Sequence, residues 1–160
     1  MDTDKMILTQ TVLVVDDEAP VRESLETLME DLFVVLKAEN GERALKSLRE
    51  SEVDLVILDV MMPGMGGMAT LDSIMKMPDP PEVIMLSATD SARLGVQAVK
   101  NGAFDYIAKP FDSTEILKVM EKALEKRQLQ REVNYLRSEV VKLSGFSNII
   151  GNSRGMQEVF

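Results

Sequence analysis

The 160-residue chain has no cysteine, no histidine and no tryptophan. Without cysteine there can be no disulfide staple, thiolate metal site or cysteine nucleophile, and the absence fits a reducing compartment. Without histidine there can be no Ser-His-Asp triad, no His-ligated zinc and no phosphohistidine formed on this chain. Basic residues are in the minority, 18 against 27 acidic, so the net charge is −9 and a face for duplex nucleic acid is not expected. No apolar run approaches the roughly 20 residues needed to span a bilayer. Met1 to Gln10 has a single lysine and no apolar stretch long enough for a signal peptide. Apolar residues make up 45% of the chain, enough for a real core. The expectation is a soluble, acidic, cytoplasmic protein with no membrane partner: one domain of ordinary size with something short attached.

What is present alternates short apolar runs with amphipathic stretches, the pattern of repeated βα units around a parallel sheet. Strands are expected at Thr11–Val15, Phe33–Ala38, Val53–Leu58, Val83–Leu86 and Phe104–Ala108. Leu55 to Leu58 is apolar throughout, as suits a strand covered on both faces. Pro20 suits the first turn of a helix in which Val21, Leu25, Leu28, Met29 and Leu32 recur at helical spacing. Asn40 and Gly41 open a second helix, with Ala44, Leu45 and Leu48 on one face. A third runs from Met68 to Met77 and is stopped by the prolines of Pro78 to Pro81. Asp90 or Ser91 caps a fourth, which carries Leu94, Val96 and Val99 and ends at Asn101-Gly102. Asp112 and Glu115 resemble a capping box, and from there nothing breaks the fifth helix until Ser144-Gly145. At about 1.5 Å per residue its thirty or so residues span about 45 Å, too long for one face of a small α/β domain. Met61 to Gly67 holds a proline and three glycines and reads as a loop.

In a parallel α/β sheet ligands bind beyond the carboxyl ends of the strands. The polar residues directly following the apolar runs are Asp16, Asp17, Asp59, Ser87 and Lys109, which four different strands would bring to one edge. Three carboxylates so close repel one another unless cations offset them. Lys109 offsets part of the charge, and Mg²⁺, which favours carboxylates, water and phosphate oxygens, would offset more. A carboxylate beside Mg²⁺, a lysine and a hydroxyl is what phosphoryl transfer to an aspartate requires. Asp59 is the best nucleophile, since it follows the most apolar strand and precedes the Gly-rich loop. Asp16 and Asp17 would hold the metal with a backbone carbonyl of that loop, and Ser87 would donate its hydroxyl to the phosphoryl group.

The stretches VVDDE (Val14–Glu18), DLVILD (Asp54–Asp59) with MPG (Met62–Gly64), LSA (Leu86–Ala88) and GAFDYIAKPF (Gly102–Phe111) occur in this order. Over about residues 9–126 they make the chain resemble the receiver domain of a two-component response regulator. The resemblance implies a flavodoxin-like, doubly wound sheet of five parallel strands in the order 2-1-3-4-5, here with an extended C-terminal helix. It also implies Asp59 as phosphoacceptor for a sensor histidine kinase, Asp16, Asp17 and Asp59 with the Met61 carbonyl as Mg²⁺ ligands, and Lys109 as phosphoryl contact. Ser87 and Tyr106 match the family's switch pair. Gly66 departs from the family, which often has Asp or Asn there, and implies altered loop mobility. Two other functions fit less well. A flavin carrier would find its phosphate repelled by Asp16, Asp17 and Glu18 and no tryptophan to stack on. A phosphoaspartyl phosphatase would carry Asp-x-Asp after the first strand, where this chain has adjacent aspartates.

Phe146 to Phe160 resembles the opening of the ATPase domain in sigma-54-dependent, NtrC-type transcription activators. The implied organisation is a receiver at 1–126, a helical linker at 127–144 and the start of an AAA+ ATPase at 145–160. The chain ends before any phosphate loop, so it is expected to be a fragment that neither hydrolyses ATP nor binds DNA by itself. In the longer protein the implied partners are sigma-54 RNA polymerase and DNA. In the linker Leu129, Val133, Leu136, Val140 and Leu143 step by four and three, a coiled-coil seam that points to a homodimer assisted by the receiver surface.

Overall fold

The computed structural model describes residues 10–88 and 92–150, except for the side chains of Ala92 and of 141–150. Five strands, β1 (Thr11–Val15), β2 (Val34–Ala38), β3 (Leu55–Asp59), β4 (Glu82–Ala88) and β5 (Asp105–Lys109), alternate with five helices. The helices are α1 (Ala19–Met29), α2 (Gly41–Glu50), α3 (Gly67–Met75), α4 (Ala92–Lys100) and α5 (Ser113–Ile150). All strand pairs are parallel, in the order β2-β1-β3-β4-β5, as the resemblance implies. β1 is flanked by β2 and β3, with Val12 opposite both Val35 and Leu55. Strand order reverses there, and a sheet of this topology places its ligand site at the carboxyl ends of β1 and β3.

Successive strand residues point to opposite faces, so each central strand feeds two cores. Leu13, Val15, Val56, Leu58 and Met85 pack under Leu48 of α2, Leu71 and Ile74 of α3 and Ala98 of α4. Val12, Val14, Leu55, Ile57, Ile84 and Leu86 pack under Leu25 and Met29 of α1 and Ile116 and Met120 of α5. Both faces being covered, β1 and β3 are apolar without alternation. Division into compact units falls between Leu124 and Glu125.

Several boundaries differ from the expectation. β3 starts at Leu55 rather than Val53 and includes Asp59, β4 runs from Glu82 through Ser87 to Ala88, and β5 covers Asp105 to Lys109. Asp59 is paired opposite Leu86, Ser87 opposite Ala108 and Lys109 opposite Ala88. These residues are therefore the last rungs of the ladder rather than the first residues beyond it. Apolar runs mark burial, whereas backbone pairing continues as long as a neighbouring strand does. β2 begins at Val34, because the amides of Leu32 and Phe33 both turn back to the Met29 carbonyl and end α1 there. α3 stops at Met75, before the prolines, with the Lys76 and Met77 amides bonded to Ser73 and Ile74. Asp90 and Ser91 lie outside the described residues. Ser144-Gly145 does not break α5, which continues to Ile150. An interior Gly costs a helix about 1 kcal/mol relative to Ala, a weak stop signal in so long a helix.

Candidate functional site

Asp16 is the residue after β1, and its amide still donates to the Ala38 carbonyl of β2 at 3.2 Å. Its Oδ1 accepts from the Glu18 amide at 2.9 Å, an Asx-type turn, and its carbonyl accepts from the Arg22 guanidinium at 2.7 Å. The fully buried side chain thus has a fixed orientation. Asp59, 3% exposed, ends β3, and its Oδ1 accepts from the Met61 amide at 3.2 Å. Gly67 lets α3 start directly against this strand end, since a Cβ there would run into the Asp59 carbonyl and the Val60 backbone. From β5 the Lys109 Nζ reaches Asp16 Oδ2 at 3.0 Å and Asp59 Oδ1 at 3.4 Å, so one ammonium joins the ends of β1, β3 and β5.

The electrostatics follow from that geometry. Burial pushes the Asp59 carboxyl up from 3.8 to about 6, and the negative charge of Asp16 adds to the effect. Lys109 and the Met61 N–H pull it back only in part. For Lys109, burial pulls the pKa down, but the hydrogen bond to Asp16 and the charges of Asp16 and Asp59 outweigh it, and the net direction is up. The pocket therefore holds less positive charge than its carboxylates can use. Asp16, Asp17 and Glu18 bring their carboxylate oxygens within 4.8 Å of one another, with Asp16 buried and the other two exposed. An all-oxygen donor set at the rim suits a hard divalent cation such as Mg²⁺.

The grouping differs in membership from the expected metal set. Glu18 stands in it with Asp16 and Asp17, whereas Asp59 does not. Glu18 is the third acid of the DDE run, one residue farther from the strand end than the two aspartates. Met61 contributes its amide to Asp59, and its side chain is exposed.

Ser87 is buried, and its Oγ has no hydrogen-bond partner among the described residues. A buried hydroxyl without a partner carries a desolvation penalty of about 1–3 kcal/mol, so its place one residue beyond the partner of Asp59 calls for a role. Tyr106 is opposite Met85, two residues from Ser87, and so shares its face of the sheet. The half-buried ring lies against α4 at Gly95, where an added Cβ would be 2.5 Å from Tyr106 Cδ2 and 2.7 Å from its Cγ. Nothing adjacent to Gly95 in the sequence marks this contact. The available signal was a glycine inside a helix, which is unfavourable unless something approaches closely.

The family described as "Response regulator receiver domain" matches residues 12–121. Regulatory protein AtoC of Escherichia coli (strain K12) is 30% identical over 155 residues, 96% of this chain and 34% of its own length. Chemotaxis protein CheY of Listeria monocytogenes is 40% identical over 114 residues, 70% of this chain and 96% of its own. Among solved structures, NtrX from Brucella abortus in complex with ADP superposes with a TM-score of 0.73 at 34% identity, covering 79% of this chain and 29% of that one. The chain spans about a third of the length of relatives such as AtoC and the NtrC of Escherichia coli (strain K12).

Proposed function

Because the chain belongs to the response regulator receiver family, whose members carry phosphorylation-dependent signals in two-component systems, we propose that Asp59 is the residue phosphorylated in this protein. The observation that carries the reading is Lys109, whose ammonium lies 3.0 Å from Asp16 and 3.4 Å from Asp59. An Asp59 oxygen attacks the phosphorus of a phosphohistidine on a sensor kinase. The O–P bond forms as the N–P bond breaks, the kinase imidazole leaves, and Asp59 becomes an acyl phosphate. Lys109 stays protonated and follows the transferred oxygens, while Asp16, fixed by Glu18 and Arg22, keeps the ammonium aimed at the site. Ser87 turns its unpartnered hydroxyl to a phosphoryl oxygen, and Tyr106 moves with it as the second half of the switch.

Mg²⁺ fits the donor set of Asp16 and Asp17, with Glu18 at the rim and Asp59 and the Met61 carbonyl as further candidate ligands. When bound it supplies positive charge that favours the ionised Asp59 and offsets charge on the phosphoryl oxygens. The chain is a phosphoacceptor and signal transducer rather than an enzyme with turnover of a free substrate, and acceleration of its own phosphorylation and dephosphorylation belongs to the same proposal.

Residues 1–126 are the receiver in this reading, 127–144 a linker and 145–160 the start of an ATPase domain. The likeness to AtoC and NtrC across most of this chain supports an NtrC-type arrangement, with sigma-54 RNA polymerase and DNA as partners of the longer protein. No described helix is long and apolar enough to cross a membrane, and the reading is of a cytoplasmic protein. Leu129, Val133, Leu136 and Val140 of α5 are exposed, which supports a homodimer through this helix. Leu143 has no described side chain.

Intact mass after incubation with acetyl phosphate tests the reading. A gain of one phosphoryl group that needs Mg²⁺ and disappears in Asp59→Asn is expected. Equal Mg²⁺-dependent labelling of Asp59→Asn would place the nucleophile elsewhere.

A further inference from the structure

Asp16 lies just past the paired rungs of β1, whose last residue, Val15, is opposite Ala38 on one side and Leu58 on the other. The residue is fully buried, so its carbonyl needs a partner from outside the ladder. Arg22, the fourth residue of α1, supplies it, with Nη1 at 2.7 Å in a short, charge-assisted bond. The N-cap residue of α1, Glu18, makes no side-chain capping bond. The start of the helix is held to the strand end by the guanidinium and by the Arg22 amide on the Glu18 carbonyl at 3.2 Å.

A fixed carbonyl fixes its whole peptide plane, here the one joining Asp16 to Asp17. From that plane the Asp16 side chain reaches Lys109 at 3.0 Å, and Lys109 lies 3.4 Å from Asp59. Arg22 is thus the first link of a chain that ends at the nucleophile. It also lines an open cavity with Lys37 and Arg43. Those two differ from it, since Lys37 is paired with Glu26 at 2.7 Å and Arg43 with Glu39 at 3.1 Å, near the surface and away from Asp16.

Resting on the reading of Asp59 as the phosphorylated residue, we propose that Arg22 is a positioning residue for that reaction: through the Asp16 carbonyl it sets the Asp16–Asp17 peptide plane, and with it the carboxylate that aims Lys109 at Asp59. Its action is geometric and does not depend on contact with the phosphoryl donor. The competing account is charge alone, three cations in one cavity attracting an anionic donor, and it predicts a different pattern of variants.

The test follows phosphorylation of the full 160-residue chain by acetyl phosphate in excess Mg²⁺, read by intact mass. Arg22→Met keeps a good helix former and removes the donor. Its maximal rate should fall about tenfold, the lower end of what loss of an outer partner costs a site residue. The acetyl phosphate concentration giving half that rate should stay within about twofold, because donor binding is untouched. Arg22→Lys keeps an N–H donor and should recover most of the loss. Lys37→Met and Arg43→Met remove charge from the same cavity and should react at the wild-type rate. Circular dichroism checks folding, and Arg22→Gln, with its shorter reach, replaces Arg22→Met with the same expectation if that variant is unfolded. A wild-type maximal rate without the guanidinium overturns the inference while leaving Asp59 as acceptor. So does equal slowing of the Arg22, Lys37 and Arg43 variants with a raised half-saturating concentration. Equal labelling of Asp59→Asn overturns the phosphoacceptor reading and this inference with it.

Discussion

The strand ends and the α5 helix break the same rule in opposite directions. At the strand ends Asp16 and Asp59 are withdrawn from water, where charge is expensive, and Lys109 is half-buried beside them. Along α5 beyond Leu124 the reverse holds: Leu129 and Leu136 are 54% and 60% exposed, where apolar surface is unfavourable. A folded chain sustains either departure only when something outside it completes the arrangement. Buried charge one lysine short of balance asks for a small charged ligand, a metal ion and a phosphoryl group. A periodic apolar stripe asks for a surface of the same kind. The two regions therefore identify different classes of partner, and each can be disturbed without touching the other.

The largest separation of the two comes from Leu136→Glu. In a dimer it removes two buried leucines at about 1.5–3 kcal/mol each and adds two facing carboxylates, so dissociation should rise by well over a hundredfold. Phosphorylation of Asp59 in that variant should be unchanged, read by sedimentation and intact mass on one sample. Loss of both together would mean that the site needs the dimer. Next in size is Gly67→Ala at the opposite region. Its Cβ would press on the Asp59 carbonyl and the Val60 backbone, neither of which can swing aside. Overpacking against backbone should cost about 3 kcal/mol or more, measured by urea unfolding, and displace Asp59 from Lys109. Unaltered stability with a normal phosphorylation rate would show that α3 can retreat from β3.

The contrast also explains what could be read from the sequence. The alternation of strands and helices was legible from apolar runs and helical spacing, the residues gathered at the sheet edge from their place after those runs, and the strand order from the resemblance that the order of motifs carries. The position of Asp59, Ser87 and Lys109 within the ladder was not, since hydrogen bonding between backbones leaves no mark on side-chain polarity. Glycine was legible as a loop marker at Gly64 but not as a contact marker at Gly67 and Gly95, whose role depends on atoms distant in sequence or fixed only by the fold. Glu18 joined the acidic group through a turn made by the Asp16 side chain, a local hydrogen bond that pattern reading does not resolve. On α5 the exposed seam was legible from spacing alone, because helical periodicity itself decides which residues of one helix share a face.

Buried charge gives the third prediction, of smaller size. With metal chelated, the Asp59 carboxyl titrates near 6 in the folded protein against 3.8 for the ordinary group. The folded state binds the extra proton between these values, so stability falls as pH rises from about 4 to about 6 and levels off above, by on the order of 3 kcal/mol at most. Asp59→Asn removes that titration. Urea midpoints at pH 4.5, 5.5 and 7 in a chelating buffer should therefore show the variant gaining on the wild-type chain as pH rises. Parallel curves would mean that Asp59 is ionised in the folded state throughout, with Lys109 sufficient to hold it so. Added Mg²⁺ should shrink the gap, because it favours the ionised form.

The smallest effect lies at the proposed Ser87–Tyr106 switch, and two opposing terms nearly cancel there. Gly95→Ala gains about 1 kcal/mol in helix propensity, while its Cβ meets the Tyr106 ring, 2.5 Å from Cδ2. The ring is the end of a side chain with two rotatable bonds, so it can swing outward instead of forcing backbone apart. Net stability should therefore change by under about 1 kcal/mol, and the change should appear in Tyr106 itself. The chain has two tyrosines and no tryptophan, so in a Tyr135→Phe background the tyrosine emission belongs to Tyr106 alone. Gly95→Ala should make that emission more accessible to an aqueous quencher such as acrylamide before any phosphorylation, and shrink the further change that a phosphoryl mimic produces. Unchanged quenching would mean that α4 shifts to make room and that Gly95 does not hold the ring. Because this variant leaves both the charge cluster and the apolar seam intact, any shift in dimer Kd it produces measures how far the switch reaches from the site toward the helix.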